Sequence, residues 1–183
     1  MAAKKAKEID PLIISELLRC DPETGKLYWN HRGQKYFSDI GSFKKWNTRY
    51  AGNECFKFKN ELGYMTGKIF NVNYKAHRII WVIENGRWPE CEIDHINGIR
   101  DDNRIVNLRC VTKSENARNS KMRTTNKSGV QGVHFNKLVG KWEAYIWDDG
   151  KIILGYYSDK EIATKVRRDA EVELGYHPNH GRM

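Results

Sequence analysis

The sequence predicts an α+β protein. It reads as an N-terminal helix and β-rich segment (1–72), a central unit of two strands and a helix (73–120), a basic linker (121–128), and a C-terminal three-stranded antiparallel sheet with one helix (129–183). Three observations lead there. Ile93 to Ile96 and Asn107 to Val111 read as short strands, and Thr112-x-x-Glu115 has the form of a capping box that starts a helix. From Ala117 to Ser128 the chain carries Arg118, Lys121, Arg123 and Lys127, no acid and no apolar face. Beyond Ser128 three short alternating runs are separated by turn residues and followed by one helical stripe.

Taken in order, Asp10-Pro11 supplies an N-cap and a proline at the first helical position, and Ile13, Ile14, Leu17 and Leu18 form one apolar face. Asp21 to Gly25 is a turn, and Lys26 to Trp29 resembles a strand. The polar and aromatic stretch from Asn30 to Phe58 reads as short strands and loops. Gly63 to Met65 and Lys68 to Val72 read as a hairpin. Ala76 to Glu84 reads as a helix with Gly86 as its C-terminal cap. In the last part the strands are Gly132 to Asn136, Lys141 to Trp147 and Ile152 to Tyr157. The helix runs from about Lys160 to Leu174, capped by Ser158, with Ile162, Ala163, Val166, Ala170 and Leu174 as its apolar stripe.

The chain has 183 residues, with 32 Lys and Arg against 23 Asp and Glu, a net charge of +9. Such a charge points first to a polyanion, with basic solubility as the plain alternative. No apolar run reaches the roughly 20 residues of a membrane helix. The basic start, Met1 to Glu8, is not followed by a signal-peptide core, so a cytoplasmic protein without membrane partners is expected. Cys20, Cys55, Cys91 and Cys110 form no Cys-x-x-Cys pair. Free buried thiols are the default expectation, although a zinc site assembled from all four stays open.

The chemistry concentrates in Asp94-His95-Ile96-Asn97-Gly98, Asn107 and Asn116. Hydrolysis of a phosphodiester needs a base for water, neutralisation of the phosphorane and stabilisation of the leaving 3′ oxygen. His95 titrates in the right range to be the base. The Asp94 carboxylate and the Asn116 amide oxygen are hard donors for a divalent ion. Adjacent residues on a regular strand face opposite ways, so Asp94 and His95 share a site only if the strand bends or ends there.

The segment from Asp94 to Asn116 resembles the ββα-metal, or His-Me finger, module of HNH endonucleases, in the His-Asn-Asn variety of phage and intron-encoded homing enzymes. A wider similarity takes in Tyr74 to Arg78, Gly86 to Pro89 and Asn103-Arg104. The resemblance implies His95 as general base and Asp94 and Asn116 as metal ligands. It implies Asn107 as the middle residue that holds the loop and helps orient the histidine. It further implies Mg²⁺, replaceable by Mn²⁺ and not zinc, and products with 5′-phosphate and 3′-hydroxyl ends. His77 reads as a core histidine, and Arg78 as either a phosphate contact or a structural ion pair.

Residues 128–175 resemble the APETALA/ERF-type DNA-binding domain, through Gly132-Val133, Gly140-Lys141-Trp142-x-Ala144-x-Ile146, Leu154-Gly155-x-Tyr157 and Glu161-x-Ala163. Alternation turns Trp142, Ala144 and Ile146 toward the helix and Lys141, Glu143, Tyr145 and Trp147 outward. That face suits nucleic acid or, as the plain alternative, a protein partner. His134 and Asn136 stand where that family has arginines, so base specificity does not carry over. The basic stretch from Arg118 to Lys127 reads as tracking along phosphates or as a solvated tether.

The expected partner is double-stranded DNA, with no small-molecule cofactor, and the expected state is a monomer or weak dimer. A phage or mobile element in a bacterial host is the implied setting. The rival readings are a non-catalytic DNA-binding protein that retains the fold, and a protein that binds or cuts RNA.

Overall fold

The computed structural model describes residues 8–182, so the basic run read at Met1 to Glu8 lies almost wholly outside the described residues. The chain is mixed α+β with small antiparallel sheets, and it divides at Thr112/Lys113 into two compact units. No helix among the described residues is long and apolar enough to cross a membrane.

The N-terminal unit starts with α1 (Pro11–Leu17), where the Asp10 carboxylate accepts from the Leu12 N–H as the sequence predicts. Two strands follow, β1 (Leu18–Asp21) and β2 (Lys26–Trp29), with β3 (Glu54–Cys55) completing the sheet. The segment expected to be strands and loops instead contains a full helix, α2 (Ile40–Tyr50). Its cap is Asp39, which accepts from the Ser42 N–H, and Phe43, Trp46, Asn47 and Tyr50 recur at helical spacing. Aromatic clustering hid that period. The second sheet is β4 (Phe58–Lys59), β5 (Met65–Ile69) and β6 (Val72–Lys75). Its β5–β6 turn falls at Phe70-Asn71, both at positive φ, and not at Thr66-Gly67 as the sequence suggested. A two-residue turn with both φ positive matches the twist of a hairpin.

Helix α3 (Ala76–Asn85) is the central element of this unit. Ala76, His77, Ile79, Ile80 and Val82 are buried, and Gly86 ends the helix at φ +67. The helix packs on α1, β1, β5, β6 and the 3-10 turn Ile105–Asn107. Ile93 and Leu108 from the last strand pair of the unit, β7 (Glu92–His95) and β8 (Leu108–Val111), join the same core.

The C-terminal unit begins with the short helix α4 (Lys113–Ala117) and carries the sheet β9 (Val133–Asn136), β10 (Lys141–Trp147) and β11 (Lys151–Tyr157), in the order β11-β10-β9. Helix α5 (Lys160–Glu173) is capped by Asp159, one residue after the expected Ser158. Val133, Ala144 and Ala163 form its core, with Trp142, Leu154 and Tyr157 packed on them. Ile162, expected in the apolar stripe, is exposed. Arg167 takes a buried place on that helix, its Nη1 2.8 Å from Glu171 Oε1. Glu143, expected outward, is 3% exposed because Lys151 Nζ and Asn136 Nδ2 close over its carboxylate at 2.7 and 2.9 Å. The stretch read as a linker is hydrogen-bonded to the C-terminal tail. The Gly181 N–H donates to Ser120 O and the Met122 N–H to Arg182 O.

One glycine ties the N-terminal turn to the loop between β7 and β8. Gly25 sits at φ +67, and a Cβ there would lie 2.4 Å from the Asn103 carbonyl carbon and the Arg104 nitrogen. Neither atom can move without the main chain. Gly25→Ala is expected to destabilise the protein by about 2–4 kcal/mol, from positive φ and backbone overlap together, measured by urea unfolding.

Candidate functional site

β7 and β8 pair antiparallel, with Asp94 opposite Arg109 and His95 opposite Leu108. The condition set by strand alternation is met, because β7 ends at His95. The Gly98 N–H then turns back to donate to His95 O at 2.7 Å. Both side chains are buried, Asp94 at 8% exposure and His95 at 3%. Arg109 donates to Asp94 Oδ2 from both Nε (3.0 Å) and Nη2 (2.9 Å). Oδ1 lies outside that pair.

His95 Nε2 lies 3.0 Å from Asn103 Oδ1. An amide oxygen only accepts, so this contact places the proton on Nε2 and the lone pair on Nδ1. Burial pulls the His95 pKa below its usual value, while the Asn103 bond and the nearby Asp94 and Asp102 charges pull it up. The neutral imidazole therefore dominates at neutral pH. Two more rings surround it. His77 stands perpendicular to His95 with centroids 5.0 Å apart, and Tyr64 is 5.2 Å from His77 and 6.0 Å from His95.

Asn107 pins the loop that presents Asn103. Its Oδ1 accepts from the Asn97 N–H at 3.0 Å, and its Nδ2 donates to Asn97 Oδ1 at 3.0 Å and to Asp102 O at 2.8 Å. Asp102 in turn accepts from Asn97 Nδ2 and from both Nε and Nη2 of Arg104, each at 2.7 Å. These bonds, the Arg104 ones foremost, hold its carboxyl down at about 2. The Asn107 side chain bonds to the loop, and it is Asn103 that reaches the imidazole.

A buried imidazole with a fixed tautomer beside a carboxylate can take a proton from water. Among the described residues, no group of three or more His, Cys, Asp and Glu side chains could hold a metal ion. The expectation of four free thiols is corrected: Cys91 and Cys110 form a disulfide, while Cys20 and Cys55 are free. Cys110 is opposite Ile93 in the β7–β8 ladder. Cys91 just before β7 therefore comes within 5.6 Å, Cα to Cα, a distance at which two cysteines bridge.

The HNH endonuclease family model matches residues 74–118, which take in the end of β6 and all of α3, β7, β8 and α4. Protein 3.8 of Escherichia phage T7 is 33% identical over 88 residues, 46% of this chain and 73% of that protein. The chain belongs to the phage-type HNH endonuclease family. No solved structure matches it. The matched HNH segment holds Asp94, His95, Asn103, Asn107 and Asn116.

The remaining predicted residues are dispersed. Asn116 lies on α4, at the start of the C-terminal unit, and is part-buried. Arg78 is half-buried on α3, its guanidinium carbon 5.7 Å from the Trp88 ring centre. In the C-terminal unit Arg118, Lys121, Arg123, Tyr145 and Trp147 line one cavity of about 1030 Å³. Arg118 is held in its wall by Asp148 and the Leu174 carbonyl. Lys121, Arg123 and Trp147 are exposed. Lys127 and Lys141 are exposed outside that lining.

Sequence reasoning missed Asn103 as the partner of His95, Arg109 as the partner of Asp94, and His77 as the neighbour of the imidazole. Only the register of β7 against β8 and the burial of α3 bring them in. The loop depends on the Asn107 amide. Asn107→Ala is expected to cost about 1–3 kcal/mol, because the Asn97 N–H and the Asp102 carbonyl lose the Asn107 amide in a part-buried loop. Equilibrium urea unfolding of the two proteins measures the difference.

Proposed function

We propose that this HNH family member is a metal-dependent endonuclease hydrolysing phosphodiester bonds in double-stranded DNA, a nicking or homing-type enzyme of a phage or mobile element. The observation that carries the reading is the hydrogen bond from His95 Nε2 to Asn103 Oδ1, which makes Nδ1 the basic nitrogen. His95 takes the proton of the attacking water there, and the Asp94 charge favours the imidazolium that forms. Asp94 and Asn116 are the proposed ligands, the second on the strength of the family resemblance. Their donor chemistry, one carboxylate and one amide oxygen, fits Mg²⁺ or Mn²⁺ and not zinc, which prefers nitrogen and sulfur. A bound ion supplies charge neutralisation at the phosphate and at the leaving 3′ oxygen. Arg109 fixes the Asp94 carboxylate through Oδ2 and leaves Oδ1 outside the ion pair. One such site per chain suits nicking by a monomer.

The C-terminal unit is proposed as the DNA anchor, in keeping with its resemblance to APETALA/ERF-type domains. Its cavity presents the exposed cations Lys121 and Arg123 beside the rings of Tyr145 and Trp147. Cations that meet phosphates together with rings that meet bases form a nucleic-acid surface. Lys127, Lys141 and Arg78 are further proposed phosphate contacts.

One observation favours the rival reading, a DNA-binding protein without activity. Arg109 already stands as a fixed cation on the proposed ligand Asp94. Nicking of supercoiled plasmid separates the two. Relaxed circles are expected with Mg²⁺, and His95→Ala or a chelator lowers the rate at least about 100-fold. A protein that binds the plasmid but leaves it intact with both Mg²⁺ and Mn²⁺ is the rival. For the anchor, Lys121→Ala and Arg123→Ala are each expected to reduce the slope of log affinity against log salt by about 1. An unchanged slope in a fluorescence titration removes those residues from the interface.

A further inference from the structure

The reaction proposed above leaves one buried histidine unused, and it stands against the base. His77 is on the first turn of α3 and is 4% exposed. Its ring is perpendicular to the His95 ring at 5.0 Å, and Tyr64, from the loop before β5, closes on both. The three rings come from three separate elements.

Two features set His77 apart from ordinary core. Its Nδ1 is buried and finds no hydrogen-bond partner among the described residues. A buried polar atom left unpaired costs stability that an apolar side chain would recover. The other buried positions of α3 are Ala76, Ile79, Ile80 and Val82, so helix packing alone does not call for an imidazole. Burial, with the His95, Lys75 and Arg78 charges adding to it, drives its pKa well below the ordinary value, so the ring is neutral.

The plane of the His95 ring matters as much as its hydrogen bond. The torsion that turns a histidine ring about its Cβ–Cγ bond has a broad, roughly two-fold energy surface. The Asn103 bond fixes where Nε2 lies, and the rings packed on the imidazole bear on its plane. A flat five-membered ring set perpendicular to His95, with Tyr64 against both, limits that rotation and is smaller than any other aromatic side chain.

We propose that His77 is a positioning residue for His95. Its neutral imidazole, backed by Tyr64, locks the rotation of the His95 ring so that Nε2 stays on Asn103 and Nδ1 stays directed at the reacting water. This rests on His95 as the base of a nuclease.

The experiment pairs kinetics with nitrogen-15 spectroscopy of the histidine rings on the full chain. His77→Ala is expected to lower kcat for plasmid nicking about 10- to 100-fold with KM unchanged, the size of effect that a small misplacement of a reacting group produces. Added free imidazole is expected to refill the space and restore part of kcat. In the spectra, recorded without metal or DNA, the His95 signals move from a single Nε2-protonated form toward averaged values. Tyr64→Leu, outside the helix core, is expected to move both readouts the same way and serves if His77→Ala does not fold. Folded variants with wild-type kcat, or with altered stability but unchanged His95 ring signals, overturn the proposal. If the wild-type protein never nicks, the nuclease reading falls, and the ring signals alone then decide whether His77 holds His95.

Discussion

A histidine can act as a base only when its proton is kept on the far nitrogen. In this protein a 3.0 Å contact between His95 Nε2 and Asn103 Oδ1 decides that. Much of the N-terminal unit can be understood as support for the contact. Asn103 lies in irregular chain between β7 and β8, where no sheet ladder fixes the backbone. Its position is set instead by Asn107 on Asn97 and Asp102, by Arg104 on Asp102, and by Gly25 packed against its main chain. The other side of His95 rests on α3, through His77, so the hydrophobic core and the polar loop meet at one imidazole.

The local signals in the sequence were legible because each acts within a few residues. Asp10-Pro11 starts α1, Gly86 ends α3, and Ile93 to Ile96 followed by Asn97-Gly98 places β7 within a residue. Helix α2 was obscured because its apolar positions are aromatic, and such residues read equally well as strand. The β5–β6 turn was misplaced because positive φ at Phe70 is unusual for a bulky residue.

Contacts distant in sequence were not legible at all. Nothing local to Asn103 distinguishes it from Asn97 or Asn107 as the partner of His95. The choice follows from the conformation of the loop, which Gly25 presses on from nearly eighty positions earlier in the chain. Arg109 against Asp94 and Cys110 near Cys91 both follow from β7–β8 register, which needs the fold. In the C-terminal unit the pattern of alternation gave the face of each β10 residue. It could not show that Lys151 and Asn136 would close over Glu143, or that Arg167 would be buried against the sheet. The residues read as nucleic-acid contacts prove to be of two kinds. Lys121, Arg123 and Trp147 are exposed around the cavity, whereas Arg118 is spent on Asp148 and a helix-end carbonyl.

The disulfide between Cys91 and Cys110 has a topological meaning. Asp94, His95, Asn97, Asn103, Asn107 and Arg109 all lie between the two cysteines. The bond turns this stretch into a closed covalent ring. A ring of this size restricts the unfolded chain by about 3 kcal/mol in the loop-entropy view. It also means that a protease cut anywhere between Cys91 and Cys110 leaves the two pieces joined, and they part covalently only when the bond is reduced. In a reducing medium the same segment loses its covalent closure and is held by the β7–β8 ladder, the ion pairs of Asp94 and Asp102 and the loop hydrogen bonds alone.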